Sequence, residues 1–172
     1  ETREVYCWKV ALATGGKQVA PDLASKSLNA KVLCSDHVCT DPGIAHLRKL
    51  LLKSGGGLDK KRIVIVGGSH SAFSAAWMCL NQLGLSNEQK QKHGVLGSSS
   101  VIILHRSSIR VFYCTKREAD QDGYEDIGIV NKTTGQIHPF GGLRGDSKQL
   151  WRDIRAGREP RVRLVRAAGA NF

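Results

Sequence analysis

Residues Arg62-Ile63-Val64-Ile65-Val66-Gly67-Gly68-Ser69-His70-Ser71-Ala72-Phe73 join an aliphatic run to a helix start with only a glycine turn between them. The run is short and β-branched, which fits a strand buried on both faces rather than a helix. From about His70 to Leu83 the residues are apolar on most faces, so the expected helix is buried against a sheet. A second aliphatic run, Val101-Ile102-Ile103-Leu104-His105-Arg106, follows. Strand, helix and strand in that order make a βαβ unit, whose right-handed crossover pairs the two strands in parallel. The chain is thereby confined to the α/β class. The turn also gathers backbone N–H groups at a helix N-terminus, where hydrogen bonds and the helix dipole favour an anion such as phosphate.

The remaining segments suit the same architecture. Val5 to Leu12 reads as a strand ended by Ala13-Thr14-Gly15-Gly16, and residues 17–30 read as loop. Lys31 to Cys34 is a short strand. Asp41-Pro42 reads as an N-cap with proline in the first turn of a helix through Ile44–Leu51, stopped by Ser54 to Gly57. Residues 86–100 are polar and rich in glycine and serine, the expected mobile connection. Beyond Arg106, Glu125 to His138 suits a hairpin around Lys132 to Gly135, and Asp146 is the expected cap of a helix through Leu150, Trp151 and Ile154 that ends at Gly157. Arg161 to Val165 alternates charge and aliphatic side chains, as a strand near a sheet edge does. The expectation is a single domain over residues 1–172: a Rossmann-like, three-layer α/β fold with a central, mainly parallel sheet and a small hairpin insertion.

Composition narrows the partners. The net charge of +11 invites a nucleic-acid reading, yet half of the Lys and Arg residues precede His105 and half follow it. Neither basic–aromatic interleaving nor zinc-finger spacing is present, so nucleic acid is not the expected partner. No run approaches the roughly 18 apolar residues of a membrane helix. Five cysteines without a disulfide rhythm read as reduced thiols, and the expected compartment is the cytoplasm. Cys34-Ser-Asp-His37-Val-Cys39 has one corner of a metal site but no second pair, so no metal is expected. The start, Glu1-Thr2-Arg3-Glu4, lacks Met and any signal pattern, and reads as a fragment of a longer protein.

Set on the strand, the turn follows the dinucleotide fingerprint G-x-G-x-x-G/A, with Gly67 in the first place, Ser69 in the second and Ala72 in the third. A serine Cβ narrows the space for a pyrophosphate, while its hydroxyl can donate to a phosphate oxygen. At the end of the next strand NAD-binding proteins place an acid, which accepts from the ribose hydroxyls and repels a 2′-phosphate. This chain has His105-Arg106-Ser107-Ser108 there, with Arg110 close by. Arginine and serine donors suit a phosphate, which favours NADPH over NADH; the alternative is that Arg106 is a solvated strand-end residue. The expected binding residues are Gly67, Gly68, Ser69, His70, Ser71 and Ala72 around the phosphates, and Arg106 and Ser107 at the 2′-phosphate. His70 has the alternative of capping the helix or facing solvent.

Several stretches together resemble one family. Val10-Ala11-Leu12-Ala13-Thr14-Gly15-Gly16 resembles the Ala-Thr-Gly strand of flavoproteins with two dinucleotide domains. Val32-Leu33-Cys34-Ser35-Asp36 is similar to the following segment, often Leu-His-Ser in flavin monooxygenases, with Cys34 replacing the histidine. Gly67 to Ala72 resembles the NADPH glycine motif of these enzymes, and His70-Ser71-Ala72 is similar to the Gln-Ser-Ala of N-hydroxylating ornithine and lysine monooxygenases. The resemblance covers about residues 5–110. It implies an NADPH-binding domain that delivers hydride to FAD, with FAD held on a missing domain of the parent chain and no turnover by this chain alone. The rival readings are an FAD-binding domain, against which the missing acid argues, and a non-catalytic Rossmann-like interaction module that has lost its ligand. A Gly-x-Ser-x-Gly nucleophile elbow is not formed at Gly67 to Ser71.

Overall fold

A computed structural model describes residues 9–12, 31–53, 61–83 and 100–167. The turn at 13–16, the loop at 17–30, the helix stop at 54–57 and the connection at 86–99 lie outside the described residues. In chain order the elements are β1 (Lys9–Leu12), β2 (Lys31–Cys34), α1 (Ser35–Val38), α2 (Asp41–Lys53), β3 (Ile63–Val66), α3 (His70–Gln82), β4 (Val101–His105), α4 (Lys116–Gln121), α5 (Gly145–Arg155) and β5 (Val162–Arg166).

Among the described residues, five parallel strands form one sheet in the order β2-β1-β3-β4-β5. The βαβ unit holds as expected: Ile63 pairs with Val101 and Val66 with Leu104. The alternating strand at 162–166 lies beside β4 and is the outermost on that side among the described residues. Because side chains alternate across a strand, Ile63, Ile65, Val101 and Ile103 enter one core with Leu47, Leu51, Phe73, Ala76 and Trp151 of the helices. Val64 and Val66 belong to the opposite face, packed with Val32, Ile102 and Leu104. The Rossmann-like α/β class follows from this parallel sheet with its helical cover. None of the described helices is long and apolar enough to cross a membrane.

Three local expectations shift. Thr40, not Asp41, caps α2: its hydroxyl accepts from Gly43 N at 3.2 Å and its carbonyl from Ile44 N at 2.9 Å. Arg144 holds the N-cap position of α5, and Asp146 sits inside the first turn, where its charge favours the dipole instead. Helix α4 was not foreseen, although Thr115-Lys116-Arg117-Glu118 spells a capping box. Thr115 Oγ1 accepts from Glu118 N at 3.2 Å, and the Glu118 carboxylate reaches back to Cys114 N at 3.1 Å. The hairpin stands, closed by Asn131 N to Gln136 O at 2.8 Å and by the Val130–Ile137 bridge.

A buried cation ties α4 to α5. Lys148 Nζ donates to Glu118 Oε1 at 2.8 Å and to Phe112 O at 2.9 Å, and lies 3.7 Å from the centre of the Tyr113 ring. That hydrogen bond chiefly holds the Glu118 carboxyl below its ordinary range. A carboxyl whose folded value is depressed stabilises the fold above its unfolded value and loses that contribution as pH falls. Stability should therefore decline as pH drops below roughly 4.3, the unperturbed Glu value. Lys148→Met should flatten that decline and cost about 1–3 kcal/mol at neutral pH, by stranding the Phe112 carbonyl and the carboxylate. Denaturant melts of both proteins across pH check this; parallel pH profiles would contradict it.

Candidate functional site

The glycine turn closes against the neighbouring strand. Gly67 N donates to Leu104 O at 2.8 Å, and Gly67 has φ 136°, a region that side chains other than glycine rarely enter. A Cβ on Gly68 would lie 3.1 Å from His105 Cβ, so the turn rests directly on the end of β4. Ser69 is the N-cap of α3, and its carbonyl accepts from Ala72 N at 3.0 Å and Phe73 N at 3.3 Å. The amides ahead of those two open the helix without intrahelical acceptors and carry the positive end of its dipole.

Beside this turn, at the C-terminal ends of β3 and β4, is a cleft of about 390 Å³. Val66, Gly67, Gly68 and Ser69 line it from the β3 end, and Leu104, Arg106, Ser107 and Ser108 from the β4 end. Arg110 and Gly141 complete the lining. The C-terminal edge of a parallel sheet is where ligands of this architecture bind. The volume falls within the ordinary range of small-molecule sites, roughly 300–1,000 Å³. The lining contains two guanidinium groups, three serines and no carboxylate, a donor set that fits a phosphorylated ligand. His105 Nδ1 donates to Ser107 O at 2.9 Å, which fixes the turn that carries Arg106 and Ser107.

Of the sequence-derived residues, Gly67, Gly68, Ser69, Arg106 and Ser107 meet in this cleft. Ala72 is buried in the core, where the third fingerprint position serves helix packing, and Ser71 is half-buried. His70 joins two helix starts: its Nε2 accepts from Arg144 N at 3.3 Å and its Nδ1 is 3.0 Å from Ser147 Oγ. A backbone amide only donates, so Nε2 is unprotonated and, in the neutral ring, the proton on Nδ1 faces Ser147. That tautomer cannot take a proton from the serine, and the pair is not a nucleophile with its base. Ser108 and Arg110, which the sequence sets beside Arg106, also line the cleft, whereas sequence reasoning missed Gly141, which comes from far along the chain and is announced by no local pattern.

The Cys34–Cys39 stretch holds free thiols, and among the described residues no three metal-ligating side chains converge. Cys79 is no nucleophile either: burial chiefly, with the neighbouring Cys39, pushes its thiol up to about 12.

Over 154 residues, 85% of its length, the chain is 30% identical to the CMP-5'-(3-aminopropyl)phosphonate hydroxylase of Streptomyces rubellomurinus (strain ATCC 31215). The chain is similar to a hydroxylase. It spans about a third (32%) of the length of that curated relative. No family model matches the chain, and no solved structure matches it.

Proposed function

We propose that this chain is the nicotinamide-dinucleotide domain, with NADPH the favoured cofactor, of a flavin-dependent oxidoreductase of the hydroxylating kind. One observation carries the reading: the cleft that joins the glycine turn of β3 to Arg106 and Ser107 at the end of β4. In this reading the amides of Gly68, Ser69, His70 and Ser71 hold the pyrophosphate, with the α3 dipole behind them. Arg106 and Ser107 take the 2′-phosphate by charge-assisted hydrogen bonds, and Arg110 adds positive potential at the same rim. Ala72 keeps the helix close to the sheet so that the amides point at the ligand.

The chemistry supplied by the cofactor is hydride delivery to a flavin, held by an FAD-binding domain outside these residues. In this reading the cleft residues of this chain bind and orient the cofactor. The name of the similar Streptomyces enzyme supports hydroxylation as the reaction class. Isothermal titration of the purified chain with NADPH and NADH tests the proposal. NADPH should bind at least about tenfold more tightly, the equivalent of one charge-assisted contact. Equal affinities would remove the NADPH preference, and binding of neither would remove the dinucleotide.

A further inference from the structure

We infer that Phe140 is a stacking lip of the cleft, whose ring lies against the purine base of the bound dinucleotide; this rests on the dinucleotide reading above. Phe140 is 84% exposed, the most exposed large hydrophobic side chain among the described residues. Its neighbour Gly141 lines the cleft. The strand-like segment behind it is zipped to the residues that follow Arg106: Leu143 N donates to Arg110 O at 2.8 Å and Phe112 N to Leu143 O at 3.1 Å. An apolar ring is thus presented to water one residue along the chain from the lining of a charged cleft.

The loop is held there firmly. His138 is the only described residue other than glycine with positive φ (45°), and it is 1% exposed. Its amide donates to Ile129 O at 2.7 Å and its Nε2 to Asp126 O at 2.8 Å, while Nδ1 is buried without a partner among the described residues. The Arg144 guanidinium donates to Pro139 O and stacks 4.0 Å over the Phe112 ring. At Gly142 any Cβ would lie 2.6 Å from Phe112 N and 2.8 Å from His138 O. Backbone strain and an unpaired buried nitrogen persist only where the surroundings over-determine them, and such places cluster at ligand clamps. What this clamp holds in place is the outward Phe140.

An exposed aromatic next in the chain to a cleft of arginines and serines suits a nucleobase attached to phosphate, since every base offers a π-face. Two sources of a base arise here: the adenine of the dinucleotide, and a cytosine like that in the name of the similar hydroxylase. The adenine is favoured by chemistry. The 2′-phosphate assigned to Arg106 sits on the ribose that carries the adenine, so phosphate contact and base contact must be neighbours, as Arg106, Arg110 and Gly141 are in the cleft lining.

The test compares the purified chain with Phe140→Ala and Phe140→Trp in binding of NADPH, 2′,5′-ADP and CMP. Exposure at this position leaves folding untouched, which the melting temperature verifies. Phe140→Ala should weaken 2′,5′-ADP by about tenfold, the scale of one base–aromatic stack. Phe140→Trp should retain the affinity, and 2′,5′-ADP should quench the added indole fluorescence. Unchanged 2′,5′-ADP affinity in Phe140→Ala, with the unsubstituted chain binding it, would overturn the lip alone. Loss confined to CMP would also overturn it, by moving the stack to another base. No binding of NADPH or 2′,5′-ADP by the unsubstituted chain would instead bring down the dinucleotide reading.

Discussion

Arg106→Ala should weaken NADPH binding by about tenfold to a hundredfold while leaving NADH nearly unaffected, because a charge-assisted hydrogen bond contributes about 1.5–3 kcal/mol. The argument rests on position. Arg106 is exposed at the end of β4, in the lining of the cleft that also holds the glycine turn. The His105–Ser107 hydrogen bond shapes the backbone on either side of it, so the guanidinium starts from a fixed base. Arg106→Lys should recover only part of the loss, since an ammonium lacks the planar fork that grips phosphate at two points. Arg110 shares the rim and is the natural comparison. Parallel losses for NADPH and NADH in Arg106→Ala would recast the residue as a general cation for the pyrophosphate, and no loss at all would leave it a solvated strand end.

Gly67→Ala should damage both stability and binding. Gly67 occupies φ 136° while its amide is committed to Leu104 O at 2.8 Å, so the turn cannot relax without breaking the link between β3 and β4. A side chain forced into such a conformation costs about 1–3 kcal/mol. For a chain of this size that corresponds to roughly 2–12 °C in Tm. Affinity should fall by more than the loss in stability requires, because the displaced turn redirects the amides that start α3. Gly68→Ala is the milder control: its Cβ would approach His105 Cβ at 3.1 Å, a contact a small shift can absorb. Scanning calorimetry and NADPH titration on both variants decide the matter. A Gly67→Ala protein with unaltered Tm and affinity would show that the turn carries neither function.

Much of this was legible in the order of the residues. The strands at 31–34, 63–66 and 101–105 and the helix beginning at His70 are each announced by local periodicity and a punctuating glycine or cap. The edge strand at 162–166 was visible in its alternating pattern. Helix α4 was missed although its capping box stands in plain sequence, because six mostly charged residues carry no hydrophobic period. The caps of α2 and α5 each lie one or two residues before the expected position. Several residues near a helix start can serve as caps, and which one does depends on how the chain enters the helix.

The sequence by itself determined the α/β class, the parallel βαβ unit, and the meeting of a glycine turn with Arg106 and Ser107 at one sheet edge, because these follow from short-range patterns and a crossover of fixed hand. The tertiary structure decided the rest of the site. Only folding brings Gly141 to the cleft, and only folding turns His70 toward Arg144 and Ser147, seventy-four and seventy-seven positions away along the chain. The physical reason is that an imidazole beside a glycine turn can serve a phosphate or a neighbouring helix equally well. Which partner it takes depends on what packing sets within hydrogen-bond reach, and residue order does not record that.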